Sequence, residues 1–354
     1  MKPAIVMCNY YGMCDEDNNP VGHAVKVTNE YSEILKEKYA VKLLASPCIA
    51  KKSNSLNFKE IHSLKYNISI VGNGIGKRIA DKFELFANIH EILKEKGVLF
   101  FYQVDFFFFF YILLFYKKRK DRRLVCLIYH QDFTGGKLSR VLQSIYKKAL
   151  RKIDGVIYTQ AEQPVEHPAS IWIPDFFYNE EQYAPYQKME KAERAVCVGT
   201  MNRYKQLEKL IEVFAQTELP LVIAGRFDDS ERYHKLLSLK TENVEIQNRN
   251  LSYEEYLELI ATSKYSMLPY DMLQYVNRTS GVLLESIYVG SIPVAPKLLL
   301  KQNHLEGIGY EDISQLIGEN GLLNTLYKFD YQDLYDKYGR QNFVNFMDRW
   351  ITNL

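Results

Sequence analysis

Residues 277–296 read NRTSGVLLESIYVGSIPVAP. Polar residues lead into Ser280-Gly281, an apolar run at helical spacing follows, Gly290 stops it, and Ile292–Ala295 is a short buried-strand pattern. Ser280 is a favoured N-cap, and Gly281 lets a ligand come close to the backbone. The start of such a helix offers free N–H groups and a positive dipole end, a ready phosphate site. Glu285 lies five residues past the cap, where a carboxylate can accept two hydrogen bonds from vicinal hydroxyls such as those of a ribose. The plainer alternative is a capped helix with Glu285 on a solvated face.

Short apolar runs alternate with helical patterns in both directions from this stretch. Ala4–Cys8, Val41–Ala45, Ile68–Val71, Val98–Tyr102, Leu124–Tyr129, Val156–Thr159 and Ser170–Ile173 are strand candidates in the first half. Ala195–Val198, Leu221–Ala224, Val244–Ile246, Ser266–Leu268 and Ile292–Ala295 follow in the second. Helical stripes lie between them, for example Leu207, Leu210, Ile211 and Phe214. This alternation predicts βαβ units and parallel sheets. It gives an α/β fold of two Rossmann-like domains facing each other across a cleft, with ligands at the carboxyl ends of the strands. The expected division is a first domain over 1–177, a Pro- and Tyr-containing linker over 178–194, a second domain over 195–330 and a C-terminal helical segment over 331–354 packing back on the first domain.

Composition narrows the classes. Apolar residues make up 47% and charged residues 25% of 354, as in a soluble globular protein. The net charge of +2 sets up no field that would draw nucleic acid. The 14% aromatic share is read first as a Tyr/Phe-rich core and second as sugar-handling surface. The five cysteines, Cys8, Cys14, Cys48, Cys126 and Cys197, are odd in number and spread out, which argues for a reducing cytosol and against a disulfide framework or zinc site. The apolar start is too short for a secretory signal.

Residues 98–123 read VLFFYQVDFFFFFYILLFYKKRKDRR. Gln103 and Asp105 break the apolar run, and 106–116 falls short of the ~20 residues of a spanning helix. The segment predicts a strand, a loop at Asp105 and a buried or interfacial helix. With the cations that follow, 106–123 is a candidate surface for anionic lipid.

With these residues in view, the chain resembles the GT-B glycosyltransferases, family 4 above all. There a glutamate, seven spacers and a second glutamate precede a Gly-x-Pro-Val-x-Ala/Pro strand, and Glu285, Gly290, Pro293, Val294, Ala295 and Pro296 match the second half. The resemblance assigns Glu285 to the donor ribose and the backbone at Ser280, Gly281 and Val282 to the diphosphate. The first glutamate is replaced by Asn277; Arg278-Thr279-Ser280-Gly281 is similar to an Arg-x-Ser-Gly variant, in which Arg278 would neutralise the diphosphate. Residues 198–214, VGTMNRYKQLEKLIEVF, resemble the family's Gly-Arg-x-x-x-x-Lys-Gly loop and helix. Lys205 falls on the phosphate-contacting lysine, Thr200 replaces the arginine, and Arg203 would supply the missing charge.

The stretch from Val244 resembles the strand and turn whose backbone, around Asn248–Leu251, meets the base. Gly22, within Pro20–His23, resembles the glycine loop facing the donor phosphates, and His130, after a first-domain strand, the cleft histidine that touches the donor sugar or deprotonates the acceptor. The implied activity is metal-independent transfer from a nucleoside-diphosphate sugar, a co-substrate with no resident cofactor. The acceptor would be a carbohydrate or lipid-linked, in bacterial-type polysaccharide or glycan synthesis, and the enzyme cytoplasmic or peripheral on the inner membrane face. A non-catalytic subunit of the same fold and a nucleotide-sugar epimerase are the alternatives.

Gly72-x-Gly74-x-Gly76-Lys77 is followed by Arg78 and is neither a Walker loop nor a dinucleotide fingerprint. Asn277, an amide where the family has a carboxylate, can orient the donor sugar but cannot supply negative charge. Asn277→Ala should therefore lower selectivity among donor sugars and spare binding of the free nucleotide. Competition titrations with nucleotides and nucleotide sugars check this, and loss of both affinities would mean that Asn277 shapes the whole loop.

Overall fold

A computed structural model describes residues 3–14, 20, 24–53, 58–69, 75–129, 137–273, 275, 280–318, 321–328 and 330–354. The chain forms two compact units. Met1–Thr159, Gln163–Phe177 and Arg340–Leu354 make the first; Gln160–Glu162 and Tyr178–Gly339 make the second.

The first unit holds β1 (Ile5–Asn9), β2 (Met13–Cys14), β3 (Val41–Ala45), β4 (Glu60–Ser63), β5 (Ile68–Ser69), β6 (Gly97–Phe101), β7 (Arg122–Ile128), β8 (Gly155–Tyr158) and β9 (Ser170–Trp172). Seven of them form one parallel sheet in the order β4-β3-β1-β6-β7-β8-β9, and β2 pairs with β5 apart from it. Successive residues of β1 enter opposite cores: Ile5 and Met7 one, Val6 and Cys8 the other. A strand buried on both faces must be apolar at every position, which is why these runs stand out in the sequence.

The second unit holds β10 (Ala192–Val198), β11 (Leu221–Gly225), β12 (Val244–Asn248), β13 (Ser263–Met267), β14 (Ile292–Pro296) and β15 (Ile308–Tyr310). Their parallel order is β12-β11-β10-β13-β14-β15. In both sheets the order doubles back at one point, between β1 and β6 and between β10 and β13, which is the doubly wound Rossmann arrangement. The sequence reading had left out β2, β4 and β15.

Residues 178–194, expected as a linker, belong to the second unit. Glu180–Gln187 is a helix despite Pro185, and Tyr178 and Tyr183 are buried against the Tyr288 ring at 5.4 and 5.1 Å. β10 already begins at Ala192. Three apolar ring faces anchor this segment, so it packs in place of connecting freely. The C-terminal segment also divides: helix Tyr331–Tyr338 lies in the second unit and helix Arg340–Thr352 in the first.

Helix Phe106–Phe115 is closed at both ends. Asp105 accepts from the Phe108 amide at 3.0 Å and from the Tyr10 hydroxyl at 2.8 Å. The Lys152 ammonium donates to the carbonyls of Ile112, Leu113 and Tyr116 at 3.3, 2.7 and 3.0 Å, satisfying groups that a helix end leaves open. Phe108, Phe109, Tyr111 and Ile112 are buried, whereas Leu114 and Phe115 are exposed. Of the cations that follow, Lys117, Lys118, Arg119 and Lys120 are exposed. Arg122 and Arg123 instead start β7 and donate to the carbonyls of Glu95 and Leu354. No helix among the described residues is long and apolar enough to cross a membrane. None of the five cysteines forms a disulfide among the described residues, and all five are buried.

Helix Arg340–Thr352 buries Phe343, Val344, Met347 and Ile351 in one core of the first unit, with the Phe343 ring 5.0 Å from Phe177. Four such side chains contribute roughly 6–12 kcal/mol, as much as the whole stability of a typical domain. A chain ending at Gly339 should lose the cooperative unfolding of the first unit, and calorimetry showing that transition intact would contradict this packing account.

Candidate functional site

In a doubly wound sheet the crevice lies outside the carboxyl ends of the strands, where the order doubles back. In the second unit that point follows β10 and β13, and the loops leaving the two strands are tied together. The Gln206 amide donates to the Pro269 carbonyl and the Asp271 amide to the Tyr204 carbonyl, both at 2.7 Å.

Lys205 lies between these loops. It is 4% exposed, and its ammonium donates to the Val198 carbonyl at 2.6 Å and lies 3.9 Å from the Met201 sulfur. No carboxylate pairs with it among the described residues. A buried ammonium with one carbonyl and a thioether keeps donor capacity and needs a counter-charge. Gly199, the first residue after β10, has φ +93°, which favours glycine. A methyl group there would lie 3.7 Å from the Lys205 nitrogen and 3.8 Å from a Val282 methyl carbon. The glycine thus leaves open a position bordered by the ammonium and by the first turn of helix Gly281–Tyr288.

That helix is capped as its sequence predicts. Ser280 is buried, accepts from the Leu283 amide at 3.4 Å and lies 3.3 Å from the Tyr270 hydroxyl. Tyr270 stacks on Tyr275 at 3.9 Å between centroids, and the Lys205 ammonium is 5.9 Å from the Tyr270 ring. Lys205, Ser280 and Val282 therefore converge. The loop before Lys205 is braced from outside: Arg232 donates to the carbonyls of Asn202 and Lys205 at 2.7 and 2.6 Å, and pairs with both oxygens of Glu208.

Glu285, one turn further, is 4% exposed. Its two oxygens accept from the Tyr253 and Tyr256 hydroxyls at 2.9 and 2.7 Å. Burial, and then the Glu285 charge, push the Tyr256 phenol well above the usual tyrosine range, so it remains a donor. Neither tyrosine stands out in the sequence. With Leu257 and Ile260 they form an ordinary helical stripe, and only the need of a buried hydroxyl for a partner points further.

Arg203 is exposed, its guanidinium 5.3 Å from the Tyr204 ring, and does not enter the convergence. Asn248 ends the edge strand β12, and its side chain accepts from the Phe227 amide at 3.1 Å. Gly22, His130, Asn277 and Arg278 lie outside the described residues. No group of three metal-ligating side chains converges among the described residues.

The first unit has its own polar cluster where β1 and β6 end. Asn9 is fully buried, donates to Gln103 at 3.0 Å and accepts from Ser46 at 3.2 Å. Beside it, Thr28 donates to the Tyr102 hydroxyl at 2.6 Å.

No family model matches the sequence, and no curated protein matches it. Solved structures do. The chain is similar to HepE of Anabaena, solved with UDP and glucose, at 12% identity and a TM-score of 0.65 over 99% of this chain and 100% of that one. It is similar to OtsA, a trehalose-6-phosphate synthase, at 8% identity and a TM-score of 0.66 over 100% and 99%. AviGT4, a glycosyltransferase involved in avilamycin A biosynthesis, aligns at 9% identity and a TM-score of 0.58 over 99% and 97%. Such identities carry the fold and no more: the chain has the GT-B fold of two Rossmann-like domains.

Proposed function

We propose that the chain is a glycosyltransferase that takes a sugar from a nucleoside-diphosphate donor held by the second unit. The observation that carries this reading is the buried Lys205 ammonium, set against the start of helix Gly281–Tyr288. The fold shared with HepE, solved with UDP and glucose, supports the same class of donor. In this proposal Lys205 and the amides of Gly281 and Val282 hold the diphosphate, the exposed Arg203 adds charge, and Arg278 takes the neutralising role that the family resemblance implies. As the sugar–phosphate bond breaks, negative charge grows on the leaving diphosphate, and fixed donors lower that barrier without reorganising. The residues named supply this neutralisation, so the proposed reaction is metal-independent.

The acceptor, a carbohydrate or a lipid-linked sugar, is assigned to the first unit. This assignment follows the resemblance alone, since Asn9, which ends β1, and Ser46 are fully buried and bonded to each other. His130 is the proposed group for contacting the donor sugar or removing the acceptor proton.

The peripheral membrane assignment is also ours. Phe83 is 70% exposed, and one turn away the Phe86 ring meets those of Phe110 and Phe115, each at 6.4 Å. Leu114 and Phe115 are 53% and 59% exposed. This apolar band ends beside Lys117 and Lys120, while Lys118 and Arg119 pair with Asp154 and Asp121. An apolar band with a cationic margin suits an anionic bilayer.

A thermal-shift screen of UDP, GDP, dTDP and CMP tests the donor assignment: a nucleotide at 100 times its dissociation constant adds ~2.7 kcal/mol. Lys205→Met, which keeps the aliphatic stem, should cut turnover by about 10²-fold or more; wild-type turnover in a folded variant would remove Lys205 from the mechanism.

For the membrane, flotation with vesicles containing anionic lipid should recover the protein and release it at high salt. Phe83→Ser with Phe115→Ser should abolish recovery; equal recovery on neutral vesicles, or none on anionic ones, would refute the assignment.

A further inference from the structure

The first unit holds a cavity at the amino ends of β3 and β4, the edge of the sheet opposite to the carboxyl ends where a crevice forms. Its volume is about 490 Å³, and Lys36, Tyr39, Ala40, Val41, Phe58 and Lys59 line it. Residues 36–41 make the turn from helix Ala24–Lys36 into β3, and Phe58 and Lys59 lead into β4. The two segments are joined by the Lys59 amide, which donates to the Val41 carbonyl at 3.0 Å. Small-molecule sites usually have volumes of roughly 300–1,000 Å³.

The walls of this cavity are apolar or cationic. Tyr39 and Val41 are buried, and Phe58 packs against the same core. The Tyr39 hydroxyl donates to Asp348 of helix Arg340–Thr352 at 2.7 Å. Burial, and then that bond, push the phenol up to about 12, so it stays neutral. The Lys36 nitrogen is shut off from solvent and has no hydrogen-bond acceptor among the described residues. The Phe58 ring covers it at 4.5 Å to the centroid, and Glu33 approaches to 3.6 Å with a side chain that is 56% exposed, a weak pair. A desolvated ammonium with three donors and no acceptor is costly, and packing alone would favour a methionine here. Lys59 adds a second charge, and none of the six lining residues is acidic. The cavity therefore sets positive charge over an apolar and aromatic floor.

We propose that this cavity binds a small organic anion with a flat apolar body, of the class of aromatic carboxylates. Lys36 and Lys59 take the charged group, and the ring lies against Phe58, Tyr39 and Val41. The flexible four-carbon stem of Lys36 turns its ammonium from the Phe58 face to the anion, in a charge-assisted bond. A bare anion gains nothing from the aromatic walls, and a neutral ring leaves the ammonium without an acceptor, so the site selects for both features together. Tyr39 also ties this turn to helix Arg340–Thr352, so a ligand held against its ring secures that helix. The proposal is independent of the donor reading of the second unit.

Calorimetric titration of the full chain with 2-naphthoate, its neutral analogue 2-naphthamide and acetate tests this. Naphthoate should bind about tenfold or more tighter than naphthamide, and acetate more weakly than either. Lys36→Met should weaken naphthoate binding by about tenfold or more, and Phe58→Leu, which keeps an apolar side chain but removes the flat face, should weaken it severalfold. Lys36→Met should also raise the thermal midpoint of the ligand-free protein, because it removes a shielded donor that has no acceptor. Excess UDP should leave the naphthoate affinity unchanged. No naphthoate binding by the wild type, equal affinity for naphthoate and naphthamide, or affinity untouched by either substitution would overturn the proposal. So would a lowered midpoint in Lys36→Met, which would show that the fold already satisfies the ammonium. Competition by UDP would place naphthoate in the nucleotide site and refute the cavity as its place of binding.

Discussion

A parallel strand reaches its neighbour only through a crossover that lies on a face of the sheet. Both sheets here are parallel throughout, so their faces are filled with helices and their strands with apolar side chains. Chemistry is thereby confined to the loops at the strand ends, and within these to the point where the order doubles back. Each polar group of interest in the second unit follows from this. Lys205 comes from the loop after β10 and Ser280 from the loop after β13, and the backbone bonds between these loops set their separation. Gly199 keeps the space between them open because any side chain would occupy it.

The charged groups at this edge differ in how they are held. Lys205 is desolvated with a carbonyl for company, and Arg232 and Glu208 brace the loop without reaching the opening. Glu285 is equally buried but carries two phenols. Ser280 at the cap of helix Gly281–Tyr288 and Glu285, about one turn further along it, are both buried.

Much of the architecture could be read from the chain because strands buried on both faces leave unbroken apolar runs such as IVMCN of β1 and LVIAG of β11. The elements that escaped are those without that signature. The EIHS of β4 lies exposed on a sheet edge, and β2 and β15 have two and three residues. Ser280 and Lys205 were accessible from local pattern, since a cap and a lysine before an amphipathic helix are neighbours in sequence. The partners that define the site are not local. Arg232 lies 27 residues beyond Lys205, and Tyr253 and Tyr256 precede Glu285 by 32 and 29. Asn248 shows the converse: its position in the pattern is clear, but its side chain serves the Phe227 amide, a use that no spacing encodes. The segment 178–194 was misjudged because its tyrosines look polar in sequence, whereas their rings fill a core.

The capping of helix Phe106–Phe115 has a consequence for the life of the chain before it folds. Five consecutive phenylalanines, followed by Tyr-Ile-Leu-Leu-Phe, form an uncharged run with high strand propensity and no proline. In an unfolded chain such a run is a nucleus for aggregation. Asp105 on one side and the Lys117–Lys120 cations on the other flank it as gatekeepers, and Asp105 and Lys152 commit it to a helix by binding its two ends. Lys152 comes from beyond β7, so that commitment is complete only when the first sheet has assembled past its middle. Until then solubility depends on the flanking charges alone, which gives the basic cluster a task during synthesis that is separate from any surface it later meets.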